Sequence, residues 1–197
     1  DSFIDRMTLF TDRINSMITC IRHIIKLPDP LYKKTRITKL ENGINLSQMR
    51  VPLGTIAIIY ESRPNVTIDA ASLCLKSGNS VILKGGSDTL HTNQYLVKLI
   101  ESALKKQCMN SNLVQLVKTT NRQALKYLLK KSDHIDVVIP RGGKSLIEMI
   151  IQESKIPMIK HLDGNCHVFI DRDANHKIAF DVSLNSKVQR LGVCNAI

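Results

Sequence analysis

The sequence predicts an α/β fold: a doubly wound parallel sheet, with an N-terminal helix and a β-hairpin ahead of it. Three observations carry this. The apolar runs "GTIAIIY", "SVILK", "NLVQLVK" and "IDVVIP" alternate with stretches of helical period. The runs lack polar alternation, as strands covered on both faces should. The joints between them are short, which favours parallel strands with right-handed crossovers.

Each element has its own signal. Ile4, Met7, Phe10, Ile14, Met17, Ile18, Ile21 and Ile25 recur at three- and four-residue steps, which predicts one amphipathic helix over residues 1–26. "LPDP" ends it, because proline cannot continue the hydrogen-bond ladder. Two alternating arms then flank Asn42-Gly43, a dipeptide suited to positive φ, and predict a hairpin over 36–50, either a sheet edge or an intersubunit ribbon. "GTIAIIY" is the first buried strand, followed by a helix in "TIDAASLCLKSG" that starts near Thr67 or Asp69 and stops at Gly78. "SVILK" precedes a long helix capped by Ser87 or Asp88. "NLVQLVK" and "IDVVIP" are further strands, with helices in "NRQALKYLLKK" and "GGKSLIEMIIQESK". "IPMIK" and "CHVFID" read as short strands, and "ANHKIAFDVSLNSK" as a last helix.

Composition narrows the function. The chain has 197 residues, 43% of them apolar, which fits a packed domain and not disorder. No apolar run approaches the roughly 20 residues that span a bilayer, and the start mixes charge with apolar residues, unlike a secretory leader. The expectation is a cytoplasmic protein without a membrane partner. Five scattered cysteines without CxxC spacing argue against disulfides and structural zinc. Cys20, Cys74 and Cys108 are read as small buried hydrophobes, and Cys166 is assigned neither way. The six histidines show no paired ligand spacing, so no metal is expected. A net charge of +11 raises nucleic-acid binding as an alternative, but the cations are spread over helices and aromatics are only 4%. The expectation is no nucleic-acid partner, and a surface attractive to small phosphorylated anions.

Ligands of open parallel sheets bind at the carboxyl ends of the strands. There the sequence places "ESRPN", "KGGS", "TTN" and "RGG", rich in glycines and cations. Backbone N–H groups at helix starts beside positive charge suit a phosphate. Neither GxGxxG nor a Walker A motif is present. The residues alone therefore predict an α/β domain with an anion-binding edge.

Four blocks are more specific: "VPLGTIAIIYESRPNVTIDAASLCLKSGNSVILKGGSDTLHTN", "IDVVIPRGGKSLI", "HLDGNCHVFID" and "NSKVQRLGVCNA". In this order they resemble the γ-glutamyl phosphate reductases, a branch of the aldehyde dehydrogenase superfamily. The resemblance implies NADPH-dependent reduction of L-glutamate 5-phosphate to the semialdehyde, in proline synthesis, through a cysteine thioester. It implies residues 1–30 as the N-terminal helix of the cofactor domain and 31–52 as the hairpin. The dinucleotide-binding domain would be 53–180, and 181–197 the opening of a catalytic domain.

The resemblance also implies roles. Cys194 in "VCNA" takes the nucleophile's place, beside Gln189 and Arg190, whose charge suits a thiolate. Asn65 and the Cys194 backbone N–H would form the oxyanion hole. Lys84, Gly85, Gly86 and Ser87 fall where the superfamily holds the adenosine ribose and its 2′-phosphate, and Arg141, Gly142 and Gly143 where it holds the pyrophosphate. Arg63 and Arg190 suit substrate phosphate or carboxylate, because a guanidinium makes forked contacts. The hairpin resembles the superfamily's oligomerisation ribbon, so a homo-oligomer is expected of the intact protein.

Two departures stand out. His161-Leu162-Asp163-Gly164 replaces the glutamate-containing block of aldehyde-oxidising relatives, which agrees with a reductive direction, where no water needs activating. Leu191 and Gly192 replace the usual pair before the cysteine. The chain starts without Met and stops three residues past Cys194, so it is expected to be an internal piece with weak or no activity of its own. A dinucleotide- or anion-binding module without catalysis is the alternative.

Overall fold

A computed structural model of the chain describes residues 7–160 and 166–188, apart from the Thr35 side chain. The chain divides into two units, Asp1–Lys160 and His161–Ile197.

The first unit opens with α1, Thr11–Lys26. The single helix expected over 1–26 is interrupted, because residues 8–10 are not helical. Phe10 stands extended at the helix start (φ −81°, ψ 163°), and the Arg13 guanidinium donates to the Thr8 carbonyl at 2.9 Å, tying the incoming chain back onto the first turn. Met17 of α1 packs with Ile68 and Leu96, while Phe10, Ile14, Ile18 and Ile25 remain exposed.

The predicted hairpin is present: β1, Lys34–Lys39, pairs antiparallel with β2, Asn45–Met49. Its turn closes with the Gly43 N–H on the Leu40 carbonyl at 2.9 Å, and Gly43 adopts φ +84°, a conformation that costs a residue with a Cβ. Arg36 also takes positive φ, where the register slips between Thr35 and Ile37. Every β2 residue is exposed, including Leu46 and Met49.

The expected parallel sheet forms from β3, Thr55–Tyr60; β4, Ser80–Lys84; β5, Val114–Leu116; and β6, Val137–Arg141. Their order is β5-β4-β3-β6, all parallel among the described strands. Side chains alternate across the sheet. Ile56, Ile58 and Tyr60 face one core with Ala71 and Cys74 of α2, Pro64–Lys76, and Val97 and Leu104 of α3, Leu90–Lys106. Ala57 and Ile59 face a second core with Leu125 of α4, Arg122–Leu128, and Ile150 of α5, Lys144–Glu153. Two covered faces explain the unbroken apolar strands read from the sequence.

Several element starts differ from expectation. α2 begins at Pro64 and not near Thr67, because proline's fixed φ suits the first helical position and its missing N–H costs nothing there. Thr67 is consequently buried one turn in. Neither Ser87 nor Asp88 caps α3, since Ser87–Thr89 forms a 3₁₀ turn and Asp88 accepts a bond from Ser62 instead. Asn121 does cap α4, accepting the Gln123 N–H at 2.8 Å. "IPMIK" contributes one parallel bridge, Met158 to Val138, and residues 167–170 form no strand. Cys74 is buried as expected, but Cys108 is exposed past the end of α3, and Cys20 is half-buried.

In the second unit, α6 spans His176–Val188. It and the preceding segment line an apolar groove with Val168, Phe169, Ile178 and Val182. Among the described residues no helix is long and apolar enough to cross a membrane.

Candidate functional site

In the sheet order β5-β4-β3-β6, the chain builds outward from β3 to β5 and then returns to the other side of β3 with β6. The direction of winding reverses between β3 and β6, and open α/β sheets bind ligands at that point, outside the carboxyl ends. The loops leaving β3, β4 and β6 meet there.

The loop leaving β3 is the hub. Its Glu61 N–H donates to the Arg141 carbonyl at 3.3 Å, which extends the β3–β6 pairing past Tyr60 and Arg141. Ser62 is buried, and its Oγ donates to Asp88 Oδ2 at 3.1 Å, joining this loop to the one after β4. Arg63 follows, half-buried, as the residue before α2. Asn65 stands exposed on the first turn of α2, and its Nδ2 donates to Asp69 Oδ2 at 3.3 Å. That bond aims the amide nitrogen, which carries a second hydrogen for another acceptor.

The loop leaving β4 is shaped by close approach. Lys84 Nζ donates to the Gly85 carbonyl at 2.8 Å, and burial pulls its pKa below the ordinary lysine value. A Cβ on Gly85 would overlap the Asn93 amide and stand 3.1 Å from the Tyr60 ring. On Gly86 it would overlap Ser62 Oγ and stand 2.9 Å from the Ser62 nitrogen. Only glycine lets this backbone lie against the β3 loop. Ser87 is exposed at the rim.

The loop leaving β6 brings Arg141, exposed, and Gly142-Gly143 to the start of α5. The Gly143 N–H does not face open space. It donates to Glu61 Oε1 at 2.6 Å, so a carboxylate of the chain itself sits at this helix start.

The structure thus gathers Arg63, Asn65, Lys84, Gly85, Gly86, Ser87, Arg141, Gly142 and Gly143 on one sheet edge, linked through Glu61 and Ser62. Cys194 and Arg190 lie outside the described residues, as do Gln189, Leu191, Gly192 and His161-Leu162-Asp163-Gly164. Sequence reasoning gave no role to Glu61, although it sits in "ESRPN". It also passed over Asn93, a polar residue on the buried stripe of α3 with Leu96 and Val97. A polar side chain at a core-facing helical position was the available signal.

The aldehyde dehydrogenase family model matches residues 6–197. A curated γ-glutamyl phosphate reductase from Ruthia magnifica subsp. Calyptogena magnifica is 50% identical over 195 residues, covering 99% of this chain and 46% of the relative. A solved structure of γ-glutamyl phosphate reductase from Thermotoga maritima superposes with a TM-score of 0.88 at 39% identity, covering 99% of this chain and 47% of that one. The corresponding structure from Saccharomyces cerevisiae gives a TM-score of 0.74 at 33% identity, covering 95% and 48%. The chain therefore spans about half the length of the relatives it matches. With the sheet order, the glycine-lined edge and a family match over nearly its whole length, this chain belongs to the aldehyde dehydrogenase family.

Proposed function

We propose that the chain is the cofactor-binding part, and the opening of the catalytic part, of a γ-glutamyl phosphate reductase that reduces L-glutamate 5-phosphate with NADPH in proline synthesis. The observation that carries this reading is the convergence of two glycine-lined loops and the Asn65 turn on one sheet edge, in a chain half-identical to such reductases.

The residues present suit a nicotinamide dinucleotide. Gly85 and Gly86 let the loop backbone lie close against Asn93 and Ser62, and Lys84 would bring a cation to the 2′-phosphate end. Arg141, Gly142 and Gly143 would hold the pyrophosphate, with Glu61 giving up the Gly143 N–H. When bound, the cofactor supplies hydride. The chain's own groups do the rest. The Cys194 thiolate attacks the acyl phosphate carbonyl, phosphate leaves with the bond's electron pair, and a thioester remains on the sulfur. After reduction, the thiohemiacetal oxyanion collapses, expelling the thiolate and releasing aldehyde. Asn65 and the Cys194 N–H donate to the oxygen at both tetrahedral stages. Arg63 and Arg190 bind substrate phosphate or carboxylate.

The exposed hairpin, with Ile37, Leu46 and Met49 unburied, would serve as the ribbon between subunits of a homo-oligomer in the intact cytoplasmic protein. The test is NADPH oxidation by the full-length gene product with L-glutamate 5-phosphate, beside its Cys194→Ser form. Turnover lost with the sulfur supports the reading, and full turnover without it ends the reading. A second reading, nucleotide binding without catalysis, applies to this polypeptide alone, because it spans only 46% of its relative. NADPH binding by the 197-residue chain without turnover would favour it.

A further inference from the structure

A buried polar chain runs from the end of β3 to the loop after β4. Tyr60 Oη and Thr67 Oγ1 are bonded at 2.7 Å, Thr67 Oγ1 donates to Asn93 Oδ1 at 2.9 Å, and Asn93 Nδ2 donates to Thr89 Oγ1 at 3.1 Å. Thr89 Oγ1 in turn donates to the Gly86 carbonyl at 3.4 Å. A threonine hydroxyl has one hydrogen. Since that of Thr67 goes to Asn93, the Tyr60 hydroxyl must be the donor to Thr67. The chain is therefore unidirectional and ends on the backbone of the glycine loop.

Asn93 is its centre. The side chain is fully buried (0% exposed) between Thr67 of α2 and Thr89, on the same α3 stripe as Leu96 and Val97. A leucine there would fill a similar volume without buried polar atoms that need partners. The amide also forms the floor of the loop, since a Cβ on Gly85 would overlap its nitrogen. It thus both supports Gly85 and, through Thr89, holds Gly86. Thr67 lies two residues after Asn65, so the same bonds tie the loop to the helix turn that carries the candidate oxyanion donor.

We propose that Asn93 is the positioning residue of the Gly85-Gly86-Ser87 loop, fixing it against the first turn of α2 and thereby setting nucleotide affinity. The inference rests on the nucleotide reading above. It assigns Asn93 no contact with the nucleotide.

The experiment uses the full 197-residue chain with two readouts. Amide hydrogen exchange at Leu90, whose N–H donates to the Ser87 carbonyl, reports the loop's position without ligand. Fluorescence titration with NADPH reports affinity. Asn93→Leu should speed exchange at Leu90 at least about tenfold and weaken NADPH about tenfold, the order expected for losing a buried hydrogen bond. Thr89→Val, which keeps the shape but loses the hydroxyl, should weaken NADPH about threefold, and Thr89→Ser should restore it. Val114→Ala, in the same core but outside the polar chain, lowers stability and serves as the control. Wild-type exchange and affinity in Asn93→Leu would overturn the proposal, as would changes no larger than those of Val114→Ala. Should Asn93→Leu not fold, equal behaviour of Thr89→Val and Thr89→Ser would overturn it. Faster exchange in a protein whose wild type binds no NADPH would instead retire the nucleotide reading and leave the positioning role standing.

Discussion

Glu61 and Gly143 are 82 residues apart in sequence, yet Glu61 Oε1 accepts the Gly143 N–H at 2.6 Å. The carboxylate occupies the start of α5, where unpaired N–H groups attract anions. It therefore stands where a pyrophosphate would need the same donor.

Replacing Glu61 by Gln should tighten NADPH binding. The amide oxygen can still accept the Gly143 N–H, but the like charge facing the pyrophosphate is gone. A helix-end charge is worth on the order of 1 kcal/mol, so about a fivefold fall in the dissociation constant is expected. Fluorescence titration measures it. Weaker binding by Glu61→Gln would mean that the carboxylate supports the site instead of competing for it.

Gly85→Ala should destabilise the fold by about 1–3 kcal/mol, the usual cost of forcing a methyl into a packed site. The new methyl would meet the Asn93 amide. Asn93→Ala should cost less in the Gly85→Ala background than in the wild type, because the colliding atoms are removed. Denaturant unfolding of the single and double variants gives the coupling. Strict additivity would show that the two residues do not touch.

Stability should fall at alkaline pH. Burial raises the Tyr60 phenol from 10.0 to about 12 and the Cys74 thiol from 9.0 to about 11. Below pH 9 both groups are protonated in the folded and unfolded chains, and full stability is present. As pH climbs toward the folded values, only the unfolded chain ionises, which favours unfolding. Each shift of about two units corresponds to about 2.7 kcal/mol, lost between pH 9 and 11 for Cys74 and between 10 and 12 for Tyr60. Unfolding curves at pH 8.5, 10 and 11.5 should show a smaller alkaline loss in Tyr60→Phe. An identical loss in both proteins would place the effect elsewhere.

Asn65→Ala in the full-length protein should lower kcat about 100- to 1000-fold with little change in NADPH affinity, the signature of a lost oxyanion donor. Asp69→Asn, which weakens the bond aiming the Asn65 amide, should lower kcat by a smaller factor, about tenfold. Steady-state kinetics with L-glutamate 5-phosphate separates the two. Unchanged kcat in Asn65→Ala would remove Asn65 from the chemistry.

Lys84→Met should weaken NADPH far more than NADH, by about tenfold against less than twofold, since only the former carries a 2′-phosphate. Parallel titrations decide it. Equal losses would show that Lys84 serves the loop, through its bond to Gly85, and not the phosphate.

The sequence by itself determined the parallel sheet. Unbroken apolar runs such as "TIAIIY" report strands covered on both faces, and Asn42-Gly43 marks a turn that needs a positive φ. Glycines and cations follow the strands at their carboxyl edge, a pattern legible in the order of residues alone. Where α1 and α2 begin was less legible, because Pro64 and the tether from Arg13 to Thr8 compete with periodicity over one turn. Cys108 could not be placed from its helical spacing, because the helix ends before it and leaves it exposed. Only the tertiary structure decided that Glu61 closes on Gly143, that Ser62 joins Asp88, and that Asn93 underlies Gly85. These contacts join residues on different strands and helices. Their distances depend on how β3, β4 and β6 lie side by side, and local propensity carries no record of that.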